Sequence, residues 1–360
     1  DEFGRVTKVT YINHEGNPMT DKYGVGYIRY NNAPFEGNDT IEYLGSDDKL
    51  TFNEHKFARM VSKLDKYGNP IEQLFEGADG EPCYDYKNRY RQVITFDENG
   101  FMIELKEYDF DGKLCYDSDN MAIQRAKYDS KGRWIEVSHY DVNDKPCYIK
   151  GGYCISKAKY NSQDCIIEQS VYDIEGKPCV ENICGSHIMR SKYDEYNYLR
   201  GVSFLNPQED LMLSPVSHVA SQEIEYDDYH QPILVKNYDE KGNLCFDKDY
   251  VSVLNYSYDK RGNLTKIECI DTEGRPCICK EGYATITYKY DNYGNKLEET
   301  YFGIDGEPIY INMCTSIQYD YYPNGLVKEE RYYDEKGDLC LNNNWYAISR
   351  YNYDNNGNQT

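Results

Sequence analysis

Apolar and polar residues alternate along most of the chain in short runs that are separated by breaks rich in glycine and aspartate. In residues 282–290, Ala284, Ile286, Tyr288 and Tyr290 occupy one parity, and mainly threonine and lysine occupy the other. Such alternation of β-branched and aromatic residues is typical of a half-buried β-strand. No stretch has helical periodicity, so the pattern predicts an all-β protein.

The breaks contain a recurring string, Tyr-Asp-x-x-Gly-Asn, of which Tyr258–Asn263 is an example. Aspartate accepts hydrogen bonds from backbone amides two residues on, and glycine supplies the positive φ of a tight reversal. The string therefore predicts the turn of a β-hairpin. Its glycine position falls at residues 4, 37, 68, 100, 132, 164, 197, 230, 262, 294, 325 and 357.

A second turn string, Asp-x-x-Gly-Lys-Pro-Cys, runs in step with the first, as in Asp173–Cys179. Its glycine position falls at residues 16, 48, 80, 112, 144, 176, 209, 242, 274, 306 and 337. The two locked series define 11 tandem units of about 32 residues, each with two turns. Internal repetition of this length indicates a repeat array.

Each unit is expected to contain two strands and one short strand or bulged segment, such as 147–150, followed by a third break at Gly151-Gly152. One unit cannot bury its apolar face alone, so neighbours must stack. We predict antiparallel hairpins laid side by side in an extended or curling sheet. A parallel β-solenoid is the alternative, because three strands per unit would invert every second unit.

The array is predicted to be continuous over residues 1–360, with a less regular stretch at 196–217 that lacks both turn glycines. Because the chain begins and ends on the first turn, we expect it to be a piece of a longer protein with flanking domains.

Charge narrows the classes of partner. Lys plus Arg number 40 against 62 Asp plus Glu, a formal net charge of −22, which disfavours nucleic acid and anionic lipid surfaces. No apolar run is long enough to span a bilayer, so no membrane insertion is expected.

Seven of the 13 cysteines share one column of the repeat: Cys83, Cys115, Cys147, Cys179, Cys245, Cys277 and Cys340. Elsewhere the column holds Met, Thr or Ile, which favours packing over thiolate chemistry. The odd total and the lack of paired spacing argue against disulfides and favour a reducing environment. Cys277-Ile278-Cys279 has no second ligand pair, so no zinc site is expected.

Other candidate sites also fail on their spacing. Residues 107–112 resemble a calcium loop, but Ser118 stands where a bidentate glutamate is needed. Six histidines follow no metal-ligand spacing: His14, His55, His139, His187, His218 and His230. We therefore expect no metal and no cofactor.

A glutamate column runs through Glu72, Glu104, Glu136, Glu168 and Glu298. Paired catalytic carboxylates form one constellation with separated pKa values, so a carboxylate repeated in successive units does not indicate an active site. Solvent-facing glutamates paired with cross-strand Lys or Arg are expected instead. No catalytic residue is predicted, and the chain is not expected to be an enzyme.

Aromatic residues are the best candidates for binding. Six tyrosines lie on both strand parities, so some rings are expected to face water: Tyr283, Tyr301, Tyr321, Tyr322, Tyr332 and Tyr333. Exposed tyrosines offer rigid, amphipathic area for sugar or protein contacts. The alternative is that they pack against the next unit.

Over essentially its whole length, the chain resembles the tyrosine-aspartate (YD) repeats of bacterial RHS-type proteins. The resemblance implies the long, curling β-sheets of surface proteins and toxin shells, and a cell-surface or secreted location. Here turn spacings of 12 and 20 residues alternate within 32, so a separate class of 32-residue bacterial repeats is the alternative.

Two functions are expected from these observations. The first is a non-catalytic binding or scaffold module that presents an acidic, tyrosine-rich surface to a protein or glycan. The alternative is a structural shell or spacer segment of a larger RHS-type toxin or effector.

Overall fold

The structure, a computed structural model, describes residues 1–13, 16–33 and 36–353. His14 and the turn around glycine 357 lie outside the described residues. In the described part of the chain the regular elements are all β-strands, and no helix there could cross a membrane. The prediction of an all-β protein is confirmed.

The 22 strands are short and evenly spaced. They are β1 (Lys8–Thr10), β2 (Tyr27–Asn31), β3 (Gly37–Leu44), β4 (Arg59–Leu64), β5 (Pro70–Glu76), β6 (Arg91–Phe96), β7 (Met102–Tyr108), β8 (Ile123–Tyr128), β9 (Trp134–Tyr140), β10 (Ile155–Tyr160), β11 (Ile166–Tyr172), β12 (Ile188–Tyr193), β13 (Leu199–Leu205), β14 (Ser221–Tyr226), β15 (Pro232–Tyr238), β16 (Val253–Tyr258), β17 (Leu264–Ile270), β18 (Thr285–Tyr290), β19 (Lys296–Phe302), β20 (Ser316–Tyr321), β21 (Val327–Tyr333) and β22 (Ile348–Arg350).

The strands form one antiparallel sheet in which strands consecutive in the chain pair. Hairpin repeats are therefore confirmed, and the parallel solenoid is wrong. By packing, the described chain divides into two compact units, one of residues 1–159 with 170–182 and the other of residues 160–169 with 183–353.

Pairing within a hairpin is longer than pairing between hairpins. β16 and β17 pair over six positions, and a bulge between Ser257 and Tyr258 precedes the turn. β17 and β18 pair over three positions only, centred on Ile267 and Ile286. Outside these three positions, neighbouring hairpins are therefore joined by turns and side chains and not by strand pairing.

In the described units the third segment is not a strand, so of the two alternatives for 147–150 the short strand is wrong. Tyr140 and Pro146 form an isolated bridge, and the Ile149 amide then donates to the Tyr153 carbonyl oxygen at 3.0 Å to close a third turn. Each unit in the described ranges thus contributes two strands, and none of these units is inverted. The cysteine column consequently stays on one side of the sheet.

The stretch 196–217 retains the architecture of the other units. Asn197 and Glu209 adopt the positive φ values, 71° and 64°, that glycine adopts elsewhere. The third turn is lengthened by one residue, since the Ser214 amide bonds to Val219 at 2.9 Å. The irregular sequence therefore changes turn composition and length but not the hairpin.

The core of each unit lies between its second strand and the adjacent third turns. Cys269 of β17 packs with Val251 and Cys279, and all three are buried. Val251 belongs to the third turn of the preceding unit, so the core is shared between neighbours. This sharing is the expected consequence of units too small to bury their own apolar surface.

Replacing Gly201 with alanine is expected to destabilise the contact between neighbouring hairpins that β13 and β14 form. An added Cβ would lie 2.6 Å from the Gln222 carbonyl oxygen, which is backbone and cannot move alone. Overpacking of this kind costs about 2 kcal/mol. Urea denaturation of Gly201→Ala should show this loss.

The control is Gly303→Ala, because the nearest atom to its new Cβ is Ile309 Cδ1 at 3.7 Å. Equal denaturation midpoints for the two variants would contradict the steric explanation.

Candidate functional site and interaction surface

The aspartate of the first turn stabilises the reversal of chain direction through hydrogen bonds. Asp259 Oδ1 accepts the amides of Arg261 at 2.8 Å and Asn263 at 2.9 Å. Hydrogen bonds from the Asn263 side chain and backbone keep the pKa of this carboxyl below its usual range. Its bonding capacity is used within the turn, which accounts for the Asp of the Tyr-Asp string without a ligand.

The tyrosine of the string joins neighbouring units. Tyr258 Oη donates to the Pro232 carbonyl oxygen at 2.9 Å, and Tyr128 donates to Met102 at 2.9 Å. Both bonds reach back 26 residues, onto the second strand of the preceding unit. The two residues of the string therefore have separate roles, one within the turn and one between units.

The cysteine column also joins units. Cys277 Sγ donates to the Tyr250 carbonyl oxygen at 3.6 Å, and Cys340 donates to Met313 at 3.4 Å. Both acceptors are left-handed residues of the preceding third turn. Burial raises the pKa of Cys277 to about 11, so its thiol stays protonated at neutral pH. The column packs and donates hydrogen bonds, in agreement with the packing interpretation.

Third turns are stacked through their backbones. The Ser118 amide donates to Lys87 at 2.7 Å, and the Lys150 amide donates to Asp119 at 2.9 Å. The same bond joins Lys280 to Asp249 at 2.9 Å in the second compact unit. A ladder of single backbone bonds thus accompanies the sheet.

Members of the glutamate column bind cations on neighbouring strands, as predicted. Glu104 contacts Arg125 Nε at 2.8 Å, and Glu168 contacts Arg190 Nε at 2.7 Å. The solvent-facing prediction is wrong for these two carboxylates, whose side chains are 22% and 13% exposed. Long cationic side chains bury their stems along the sheet while they cover the carboxylates.

The calcium hypothesis finds no support in the geometry of 107–112. Glu107 is buried in β7, while Asp109 Oδ1 accepts the Lys113 amide at 2.8 Å within its turn. Over the described ranges, no three His, Cys, Asp or Glu side chains converge as a metal site would require. The buried His139 ring bonds through Nδ1 to the Cys154 carbonyl oxygen at 2.8 Å.

The tyrosines chosen from the sequence are not the exposed ones. Tyr301 and Tyr332 are buried, so the expectation that they face water is wrong, and the other four are half-buried. The four most exposed tyrosines lie at the tips of first turns: Tyr67, Tyr196, Tyr229 and Tyr293.

A regular exposed apolar column was missed by the sequence analysis. The residue directly after the cysteine column is large, apolar or aromatic, and exposed in ten successive units: Phe52, Tyr84, Tyr116, Tyr148, Val180, Leu213, Phe246, Ile278, Tyr310 and Leu341. We call this set the apolar stripe. Its sequence signal is the position directly after the cysteine column, which becomes visible only when the units are aligned.

Glu107 is the least expected buried group. It is 1% exposed, Gln92 Nε2 donates to its Oε1 at 2.8 Å, and its Oε2 has no hydrogen-bond partner. Burial raises the pKa of Glu107 to about 7, opposed by the Gln92 bond and the positive charge of Arg89. Asp117 and Asp85 raise it further.

No protein-family model and no curated protein matches the chain. Solved Tc toxin structures do match it. The Photorhabdus luminescens Tc holotoxin pore aligns over 98% of this chain and 19% of that chain, with 13% identity and a TM-score of 0.43. The crystal structure of TcdB2-TccC3 aligns over 99% and 22%, with 14% identity and a TM-score of 0.27. The chain spans about a fifth of the length of these chains.

Proposed function

We propose that this chain is a non-catalytic structural wall, one β-sheet segment of a larger shell or spacer. The observation that carries the proposal is the repeated bonding between consecutive units. Strand pairing, tyrosine hydroxyls, third-turn amides, cysteine thiols and carboxylate–cation pairs each join one unit to the next. The motif residues of the repeat thus bond each unit to its neighbours.

Such bonding suits a wall because each added unit extends the sheet by the same distance and keeps the same hairpin structure. Two strands add about 9.5 Å per unit, since neighbouring strands lie about 4.7–4.8 Å apart. The resemblance of the Tyr-Asp strings to RHS-type proteins, whose repeats build surface proteins and toxin shells, points in the same direction. The wall function is therefore preferred to the first expectation of a binding module.

Electron microscopy and limited proteolysis of the natural full-length product test whether the array forms part of a wall. We expect these strands to line a chamber, and a flanking segment to resist protease while the array is intact. The matched control is the same product with residues 1–360 deleted. An array that projects as a separate arm, with flanks digested equally fast in both products, would overturn the proposal.

The apolar stripe favours a second function, presentation of a surface to a protein partner. Contiguous exposed apolar area is uncommon on soluble proteins and marks interaction sites. The stripe residues are exposed at the same position in unit after unit. A wall can carry such a surface, so the two functions are compatible.

A further inference from the structure

Four aromatic members of the apolar stripe follow one another in the first compact unit. Phe52, Tyr84, Tyr116 and Tyr148 are 46%, 37%, 41% and 44% exposed. Each offers an open ring rather than a filled core position. No comparable run of aromatics occurs among the stripe residues of the second compact unit.

Two of these rings, Phe52 and Tyr84, lie on the second turn of the following unit. Tyr84 packs on Phe110 with ring centroids 4.3 Å apart, and Tyr90 also packs on Phe110 at 4.6 Å. Phe52 lies beside Gly77, where an added Cβ would be 3.3 Å from its Cζ. These two rings are thus packed on one side and exposed on the other, which lowers the entropy lost when a ligand binds them.

Their spacing is set by the backbone. The Tyr86 amide donates to the His55 carbonyl oxygen at 2.9 Å, and the ladder continues from Ser118 to Lys87 at 2.7 Å. One aromatic ring therefore recurs with every two strands, about every 9.5 Å.

An acidic border follows the stripe. Five second turns of this unit, 45–49, 77–81, 109–113, 141–145 and 173–177, contain ten carboxylates and four lysines. Because the Tyr84 ring lies on one of these turns, a ligand on the stripe would meet the acidic border at once. Complementary potentials favour a basic partner.

We propose that the stripe of the first compact unit docks a basic, proline-rich polypeptide in the polyproline II conformation. That helix has three residues per turn and a rise of about 3.1 Å, so every third side chain returns to one face after about 9.3 Å. This period matches the spacing of the rings. Aromatic surfaces are also the usual docking sites for proline-rich segments.

Two other occupants fit less well. An α-helix returns a side chain to the same face after about 10.5 Å per heptad, so it drifts out of register over successive rings. A second copy of the chain has the right period but places two acidic borders together. The charge and the period together therefore favour the basic polyproline segment.

The test measures binding of a fluorescent peptide of five Pro-Leu-Arg repeats to the full 360-residue chain by anisotropy at low salt. We expect saturable binding that weakens with added salt. A Pro-Leu-Glu peptide should not bind, and a Gly-Leu-Arg peptide should bind more weakly because it is not preorganised. Equal binding of all three, or none of the first, would overturn the proposal.

The protein variants are Tyr84→Ser with Tyr116→Ser, against Tyr67→Ser with Tyr293→Ser as the control. All four residues are exposed, and each pair removes two tyrosines, but the control pair lies at first-turn tips. We expect the stripe pair to raise the Kd about tenfold or more and the control pair to leave it unchanged. Equal Kd values for the two pairs, or self-association that the stripe pair abolishes, would overturn the proposal.

This inference deepens the surface-presenting function and is independent of the wall. Loss of peptide binding with protease protection of the flanks intact would count against the stripe alone. Loss of that protection with peptide binding intact would count against the wall alone.

Discussion

We expect deletion of residues 117–148 to leave a folded and shorter array, whereas deletion of residues 117–132 should prevent folding. The first deletion removes 32 residues, one whole unit, and joins Tyr116 to Ile149, which occupies the place of Asp117. The strand pairs, the third-turn ladder and the cysteine bonds then re-form with the next unit. Stability in repeat arrays is approximately a sum over units and their interfaces, so one unit is dispensable.

The second deletion removes half a unit and joins the third segment directly to a second strand. β8 is lost while β9 remains, so β9 would have to pair with β7 in the wrong direction. The cysteine ladder would also be interrupted. We expect aggregation or loss of the β-sheet circular dichroism signal.

Circular dichroism, gel filtration and small-angle scattering distinguish the outcomes. The whole-unit deletion should retain the spectrum and a cooperative thermal transition. Unfolding of that variant, or survival of the half-unit deletion, would contradict the assignment of the unit. A third variant that lacks residues 149–180, another 32-residue step, should behave as the first.

Replacing Glu107 with glutamine removes a pH dependence of about 3 kcal/mol. Burial raises the pKa of Glu107 to about 7 from 4.5, and each pKa unit corresponds to about 1.4 kcal/mol. Since the native pKa is the higher one, the native state binds the proton more tightly. Its stabilising effect is complete below about pH 4.5 and is lost as the pH rises to about 7.

The measurement is the difference in free energy of unfolding between the wild type and Glu107→Gln, from urea denaturation at pH 5 to 8. The free energy of unfolding of the variant, relative to that of the wild type, should increase as the pH rises and then stay constant. Glutamine retains the carbonyl that accepts from Gln92 and cannot ionise.

Glu104→Gln is the matched control, three residues away on the same strand. Hydrogen bonds from Lys106 and Arg125 outweigh desolvation and hold the pKa of Glu104 below its usual range. Its contribution is present above pH 4.5 and is lost only at more acidic pH. The difference in free energy of unfolding between the wild type and Glu104→Gln should therefore stay constant from pH 5 to 8. A slope like that of Glu107→Gln would mean that burial of Glu107 is not the cause.

The column that holds Glu107 explains why the sequence alone did not reveal this group. Phe75, His139, Val171 and Phe204 occupy the same place in other units, and the position is buried in each. A glutamate inside a buried, mostly apolar column is the signal that alignment of the units offers. The size of the pKa shift depends on Gln92 and Arg89, which only the fold brings near.

From the sequence alone, a period of about 32 residues, the hairpin strands and their turns could be predicted. Alternation, aspartate and glycine act within a few residues, so the Tyr-Asp strings and the Asn197 and Glu209 replacements could be placed without a fold.

Only the tertiary structure decided how units join and what they expose. The third segment became a bridge and turn because Cys277 and its equivalents bond to the preceding unit, which no local pattern encodes. Exposure of Tyr84 and burial of Tyr301 likewise depend on which neighbouring turn covers each ring. Contacts between residues about 30 positions apart depend on how the units stack, so the local alternation of apolar and polar residues does not predict them.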